Sequence, residues 1–171
     1  MIDALQPPLP AVPAPPAVPD VDGLTAFVVA AKAATYAGDG ATLLPYRLGS
    51  HDLQYVQGRW AYHDSYVGGT DFQGQEVVYR DGDPVWAMTY YGYLVDPDAL
   101  DAATAGQVIK RALGALYAQG RFLGGWRYEA LGYDYVDVTA GDVGRFTGWE
   151  RIERAGRLLY ELRYVGGRIL A

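Results

Sequence analysis

The stretch FQGQEVVYR, residues 72–80, returns later in the chain as FTGWERIER, residues 146–154. In each stretch phenylalanine, glycine, glutamate and a β-branched residue fall on every second position, so they share one side of a β-strand. The match extends without a gap from residues 58–92 to residues 132–166 and contains eight identities, where composition alone gives about two or three. The sequence therefore predicts an internal duplication.

A helix is predicted before each copy. Residues Leu24 to Thr35 show helical spacing after the N-cap candidate Asp22, and a second helical stretch runs from about Asp101 to Ala118. The other residues alternate like strands between glycine turns. We expect an α+β fold in which a helix-plus-four-antiparallel-strands unit occurs twice, with two helices packed on an eight-stranded sheet that is open or barrel-like. The strands are expected near residues 52–57, 59–66, 72–80, 84–94, 122–131, 133–140, 145–154 and 158–166.

The chain divides into an arm and one domain. Residues 1–20 are predicted to be a proline-rich disordered arm or linker, because seven of the ten prolines fall within residues 7–19 and favour an extended, polyproline-like chain. Residues 21–171 are predicted to form a single duplicated domain, with copies at about 22–97 and 98–171. A chain of 171 residues, half of them apolar, supports one ordinary hydrophobic core.

Composition and charge exclude several classes of function. Cysteine is absent, so disulfides and cysteine nucleophiles are excluded and a reducing, cytoplasmic setting is expected. The net charge of −6 and the scattered basic residues oppose direct nucleic-acid binding. No stretch reaches the length of a membrane span, so we expect neither insertion nor export. The sequence has no Walker loop or dinucleotide fingerprint, so no cofactor is expected.

Two histidine-aspartate pairs raise the question of a metal site. His51-Asp52 and His63-Asp64 are of the type found in metal phosphohydrolases, which also use ligands on helices. Here both pairs lie on or beside predicted strands. We therefore expect no metal site.

The turns after the two matching strands decide which side chains share a face. Residues 80–82 and 154–156 suit a three-residue hairpin with glycine in the left-handed conformation. A loop of that length places Glu76 on the same, core-facing side as Trp86 and Tyr90. A carboxylate there needs a hydrogen-bonding partner or a raised pKa, because burying it ionised and unpaired is costly.

Aromatic residues surround a second carboxylate, Asp64, on the preceding strand. If residues 67–71 form the loop of a hairpin, Asp64 lies opposite Gly74 and diagonal to Glu76, with about 7 to 8 Å between the alpha carbons of the diagonal pair. These side chains then line one acidic, aromatic concavity. The predicted ligand-binding residues are Asp64, Glu76, Tyr62, Tyr66, Trp86, Tyr90 and Trp60.

The two copies differ on this strand. At the constant offset of the match, Asp64 corresponds to Val138, and from Val136 onward the second copy is predicted to be plain core. Glu76 recurs as Glu150, and a residue present in both copies also suits a purely structural role. Function is therefore expected in the first copy, around Asp64.

Three functions fit these residues. The leading prediction is a non-catalytic domain that binds a small effector or serves regulation, with a pocket suited to a cationic or planar apolar molecule through cation-π contact and stacking. The second is a protein-interaction module or a homodimer. The third is a hydrolase that uses the two carboxylates as acid and base. No catalytic residue is assigned.

Several segments carry a family resemblance. They are AKAATY (31–36), HDLQY (51–55), DSYVGG (64–69), FQGQE (72–76), PVWAMTY (84–90) and YELRYVGG (160–167). With these segments, over about residues 24–168, the sequence resembles the bacterial domain-of-unknown-function family 5680. Members of that family occur alone or behind an Xre-type helix-turn-helix, which implies a regulatory or sensing role and a transcription-regulator partner, and establishes no activity.

Overall fold

Two helices and one eight-stranded antiparallel sheet make up the fold. A computed structural model describes residues 23–35 and 43–170, so the predicted proline-rich arm (residues 1–20) and the N-cap candidate Asp22 lie outside the described residues. The elements are α1 (Leu24–Ala34), β1 (His51–Gln57), β2 (Trp60–Gly68), β3 (Phe72–Arg80), β4 (Asp83–Leu94), α2 (Ala102–Tyr117), β5 (Trp126–Ala130), β6 (Tyr133–Asp142), β7 (Arg145–Arg154) and β8 (Arg157–Arg168).

The sheet is open. Its strand order is β1-β2-β3-β4-β8-β7-β6-β5, so each group of four consecutive strands forms a meander and the two meanders join where β4 pairs with β8. Short hairpins favour this pairing of sequential neighbours. The prediction of two helices with an eight-stranded antiparallel sheet is confirmed, and the barrel-like alternative is wrong because β1 and β5 remain at opposite edges.

The core lies between the helices and one face of the sheet. In α2 the side chain of Asp101 caps the first turn by accepting a hydrogen bond from the backbone N–H of Thr104 at 2.8 Å. Neither helix among the described residues is long and apolar enough to cross a membrane. Both helices bury a stripe of side chains at helical spacing: Leu24, Val28, Ala31 and Lys32 in α1, and Ala105, Val108, Ile109, Ala112, Leu113 and Leu116 in α2.

Strand β5 is shorter than predicted. It begins at Trp126 rather than near residue 122, because Gly124 and Gly125 both adopt positive φ angles, of 96° and 75°, that interrupt the extended chain. The Arg121 guanidinium holds this bend by donating hydrogen bonds to the carbonyl oxygens of Leu123 and Gly125, each at 2.9 Å.

The turn between β3 and β4 is one residue shorter than predicted. Asp81 and Gly82 alone form it, with φ angles of 55° and 94° that suit a type I′ turn. A bulge directly after Val78 shifts the register by one residue, so Val78 pairs with Trp86 and Glu76 lies on the face predicted for it. The predicted side of Glu76 is therefore confirmed, although the predicted loop length is wrong.

Two glycines allow tyrosine rings to lie across neighbouring strands. A Cβ atom on Gly74 would stand 2.3 Å from the Tyr90 hydroxyl oxygen, and one on Gly148 would stand 1.8 Å from Cζ of Tyr164. Both rings are held by hydrogen bonds through their hydroxyl groups, so neither can move aside freely. Glycine at these positions therefore sets the orientation of the two tyrosines.

Gly148→Ala is expected to lower the free energy of unfolding by about 1–3 kcal/mol or more, because the added methyl group overlaps the Tyr164 ring. Gly114→Ala is the matched control, since a Cβ atom there meets open space within α2, and it should stabilise the protein by about 0.5–1 kcal/mol. Urea denaturation measures both values. A Gly148→Ala protein as stable as the control would contradict the close approach.

Candidate functional site

Two carboxylates face each other across β2 and β3. Asp64 pairs directly with Glu76, and Tyr66 pairs with Gly74. The predicted diagonal arrangement is therefore wrong, because the strands continue to the Gly68–Phe72 pair and leave a loop of only three residues. Direct cross-strand neighbours have Cβ atoms about 4.5–5.5 Å apart, closer than the predicted diagonal.

Asp64 is enclosed and holds its proton unusually well. Its side chain is 3% exposed, and the Tyr90 hydroxyl donates a 2.7 Å hydrogen bond to Oδ1. Burial, followed by the charge of Glu76, raises the pKa of Asp64 to about 7, while the hydrogen bond from Tyr90 and the charge of Lys32 oppose this shift. Near neutral pH this carboxyl group therefore exists in both protonation states.

Glu76 forms a buried ion pair with a lysine from α1. The Lys32 Nζ lies 2.6 Å from Oε1 of Glu76, and the side chains are 8% and 7% exposed. The other carboxylate oxygen, Oε2, is buried without a hydrogen-bonding partner in residues 23–35 and 43–170. A buried polar atom left unpaired is costly, so this oxygen is the part of the site that a ligand would most stabilise.

A second carboxylate pair lies in the other half of the sheet. Asp137 on β6 pairs directly with Glu150 on β7. The Tyr164 hydroxyl donates to Oδ1 of Asp137 at 2.8 Å, and the Thr139 hydroxyl donates to Oδ2 at 2.9 Å. Both carboxylate oxygens of Asp137 thus accept hydrogen bonds, unlike Oε2 of Glu76.

The pKa values of this second pair are also raised. Burial raises the pKa of Asp137, against the hydrogen bonds from Tyr164 and Thr139. Part of Glu150 reaches the surface, but its carboxyl group is enclosed, and burial together with the charge of Asp137 raises its pKa to about 8. At neutral pH Glu150 is therefore mostly protonated.

The prediction that only the first copy has a buried aspartate at this position is wrong, because β6 has one too. The residue in the register position of Asp64 is Asp137 and not Val138, because residues 143–144 make the β6–β7 loop one residue shorter than the β2–β3 loop. Val138 lies on the helix-free face, where 53% of it is exposed. A carboxylate with a tyrosine partner therefore occurs in both halves.

The two carboxylate pairs meet at the centre of the sheet. Tyr90 and Tyr164 are direct partners across β4 and β8, and each donates its hydroxyl to the aspartate of its own half. A cavity of about 200 Å³ lies over this centre and beneath the helices. It is lined by Lys32, Asp64, Tyr66, Gly69, Phe72, Glu76, Met88, Tyr90, Ile109, Leu113, Tyr117, Glu150, Tyr160 and Leu162.

Comparison with known proteins identifies the family of the chain. The family model described as "Domain of unknown function (DUF5680)" matches residues 64–169. The chain belongs to this family. Neither a curated protein nor a solved structure matches the chain. The matched range of this DUF5680 domain contains all four carboxylates, whereas Lys32 precedes it. The match does not show the association with a helix-turn-helix that the resemblance implies.

Four of the seven predicted site residues line the cavity of the DUF5680 domain: Asp64, Tyr66, Glu76 and Tyr90. Tyr62 is 1% exposed and lies on the same face without lining the cavity, and its hydroxyl has no hydrogen-bonding partner within the described ranges. Its pKa is raised well above the usual value by burial and by the charge of Glu76. Tyr62 therefore contributes to the environment of Glu76 rather than to the wall of the cavity.

The two predicted tryptophans serve packing. Trp86 is fully buried and donates from Nε1 to the carbonyl oxygen of Val143 at 3.0 Å, which ties β4 to the β6–β7 loop. Trp60 stacks on Phe27 of α1 with ring centroids 5.4 Å apart and does not line the cavity. The structure does not bring either ring into the candidate site.

Sequence reasoning missed Lys32 and Asp137. Lys32 lies on the buried stripe of α1, four residues after Val28 and eight after Leu24, and a lysine at such a position predicts a buried anionic partner. A constant offset of 74 residues aligns Asp64 with Val138 rather than with Asp137. The shorter turn at residues 143–144 was the signal that could have identified Asp137.

His63 contacts Asp52 rather than the adjacent Asp64. Its Nε2 lies 2.9 Å from Oδ1 of Asp52 on the sheet face that carries no helix. Burial alone would raise the pKa of Asp52, but hydrogen bonds, led by that of Ser50, lower it to about 2. Asp52 also accepts from the backbone N–H of Tyr46 at 3.1 Å, so it fastens the segment before β1. No group of three histidine or carboxylate side chains in the described ranges is placed to hold a metal ion.

The stability of this DUF5680 domain should decrease as the pH rises from about 4 to about 7. The pKa of Asp64 is higher in the folded protein than in the unfolded chain, so the folded state retains the proton and its advantage shrinks by about 1.4 kcal/mol per pH unit until both states are ionised. Asp64→Asn should therefore gain a few kcal/mol over the wild type between pH 4 and pH 8.

Urea denaturation across this pH range measures the difference. Asp98→Asn makes the same chemical change at an exposed position and serves as the control. If the Asp64→Asn and wild-type curves run parallel with pH, burial does not raise the pKa of Asp64.

Proposed function

We propose that the chain is a non-catalytic small-molecule-binding domain whose helix-covered cavity takes a small organic cation. The observation that supports this most directly is the Oε2 atom of Glu76, which is buried beside the cavity without a hydrogen-bonding partner among the described residues. A protonated amine would supply the missing donor and a positive charge together.

The charges around the cavity support a cationic ligand. Glu76, Asp64 and Glu150 line the cavity, Asp137 lies beside it, and Lys32 is the cationic side chain of the described residues that lines it. A cation would stabilise the ionised forms of carboxyl groups that now resist ionisation. Binding should therefore release protons, since the pKa values of Asp64 and Glu150 stand at about 7 and about 8.

The cavity walls suit an apolar or aromatic body on that cation. Rings of Tyr66, Phe72, Tyr90, Tyr117 and Tyr160 face the cavity, and aromatic faces attract cations and stack with planar groups. The volume of about 200 Å³ is below the roughly 300–1,000 Å³ of sites for drug-sized ligands. The ligand is therefore small.

The proposal includes a regulatory role in the cytoplasm. The cysteine-free composition supports a reducing setting, and family membership is compatible with effector binding without assigning it. A transcription regulator is the partner that the resemblance implies. The carboxylate-pair hydrolase stays a separate prediction, which a panel of glycoside substrates tests.

We also infer that the two halves arose by internal duplication. The support is the correspondence of the register as well as of the sequence, since each half places an aspartate opposite a glutamate and a tyrosine beside them. The corresponding side chains are Asp64, Glu76 and Tyr90 in one half and Asp137, Glu150 and Tyr164 in the other.

A thermal-shift screen of small amines, followed by calorimetry on the hits, tests the cation site. Glu76→Gln should weaken binding of a hit at least tenfold, because truncating one partner of a buried charged pair costs about 2–5 kcal/mol. Glu129→Gln makes the same change on an exposed side chain of β5 and should leave the affinity unchanged. If neither Glu76→Gln nor Asp64→Asn alters the affinity of any hit, the site is wrongly assigned.

The helix-free face of the sheet favours a homodimer as a second candidate function. Tyr91 on β4, Val138 on β6 and Val165 on β8 are 48%, 53% and 50% exposed, and they border an open recess of about 470 Å³. Arg163 and Glu161 on this face lie 3.9 Å apart and offset each other's charge, so they do not oppose an apolar contact with a second copy related by a twofold rotation.

Light scattering coupled to gel filtration tests the homodimer. The wild type should have twice the chain mass of 18.6 kDa, and Val165→Glu should reduce it to one chain because a charge then enters the apolar contact. Val56→Glu, at an exposed position on the edge strand β1, is the control and should remain dimeric. A monomeric wild type would rule out this dimer and leave the cation site unaffected.

A further inference from the structure

Lys32 resembles the ligand that the cavity is proposed to bind. Its side chain is a primary ammonium group on an unbranched apolar stem, and it enters the cavity from α1 with 7% of the residue exposed. The ammonium lies 2.6 Å from Oε1 of Glu76 and 5.9 Å from the ring centroid of Phe122. The combination of a carboxylate with an aromatic face is the environment that favours a bound alkylammonium ion.

A second acidic centre lies within electrostatic reach of the same ammonium. Lys32 and Glu150 both line the main cavity, and both also line an adjoining space of about 20 Å³ bordered by Asp137 and Tyr164. The charge of Lys32 lowers the pKa of Asp64 and that of Glu150, so it interacts with the carboxyl groups of both pairs. A lysine stem is flexible enough to present its ammonium in more than one direction.

We propose that Lys32 is a tethered occupant of the ammonium subsite at Glu76, and that the ligand is a small primary amine which replaces it there while Lys32 turns toward Glu150. This inference rests on the proposed cation site and names its ligand class. The exchange replaces one ammonium by another at Glu76, so that carboxylate never loses its counter-ion. Glu150 gives up its proton to solvent and receives the Lys32 ammonium in return.

The exchange explains why Glu76 retains an unpaired oxygen. A primary ammonium group has three N–H donors, and a free amine is not constrained by the backbone of α1 as Lys32 is. It can therefore bridge Oε2 of Glu76 and Asp64, which lies directly opposite Glu76 on β2. Lys32, fixed on the helix, bonds Oε1 alone in the described structure.

The test uses chemical rescue of a Lys32→Ala protein. This substitution removes three carbons and the ammonium, which is the size of n-propylammonium. Lys32→Ala should lower Tm, and n-propylammonium chloride should restore it in a saturable manner, since a ligand that binds only the folded state stabilises it by mass action. The neutral analogue 1-propanol should not restore Tm, and the double variant Lys32→Ala/Glu76→Gln should not respond to the amine.

Competition by Lys32 predicts a difference in affinity. n-Propylammonium should bind the wild type at least tenfold more weakly than it binds Lys32→Ala, because in the wild type it must displace the tethered ammonium. Equal affinities, or equal rescue of the single and double variants, would overturn the exchange. If Lys32→Ala does not fold, Lys32→Met with ammonium chloride repeats the test, since methionine matches the four-atom stem of lysine and lacks only the ammonium group.

Failure of this inference differs from failure of the cation site. If organic cations bind the wild type with dependence on Glu76 but n-propylammonium does not rescue Lys32→Ala, the site stands and the exchange is wrong. If n-propylammonium rescues Lys32→Ala but no cation binds the wild type, Lys32 is a permanent structural ion, which overturns both the exchange and the proposed ligand site.

Discussion

The buried ion pair between Lys32 and Glu76 joins α1 to the sheet within the core layer between them. Placing two charges there is costly, and their mutual attraction offsets the cost only where the remaining polar atoms are also bonded. Here they are not, since Oε2 of Glu76 has no partner in the described parts of the chain. The apolar core around the pair therefore tolerates a local loss of stability, as is common at binding sites.

Lys32, the one lysine among the described residues that line the cavity, explains the raised pKa values of the neighbouring carboxyl groups. One ammonium serves a cavity lined by Glu76, Asp64 and Glu150, so the others ionise only as the pH approaches or passes neutrality. Asp64 and Glu150 are therefore poised to change charge when a cation enters, whereas Asp52 on the opposite face is fully bonded and stays ionised. Hydrogen bonds therefore outweigh burial at Asp52, whereas at Asp137 they oppose the effect of burial on the pKa without cancelling it.

Tyrosine and glycine build the frame around these charges. Gly74 and Gly148 leave room for the rings of Tyr90 and Tyr164 to cross the strands, and the hydroxyl groups then reach the aspartate of each half. The two tyrosines are direct partners across β4 and β8. The two aspartate-glutamate pairs therefore lie on either side of the line where these strands meet. The family match covers this frame, while Lys32 comes from the helix that precedes it.

The sequence by itself determined the elements and the faces of β3 and β4, because alternation and helical spacing are local properties of the chain: Glu76 shares a side with Trp86 and Tyr90, as predicted. It did not determine the register, since one residue gained or lost in a turn moves every later side chain. The direct pairing of Asp64 with Glu76 and the place of Asp137 depended on the length of hairpin loops. Only the tertiary structure decided that Lys32 neutralises Glu76, because nothing in the spacing of two residues on a helix and a distant strand fixes their approach.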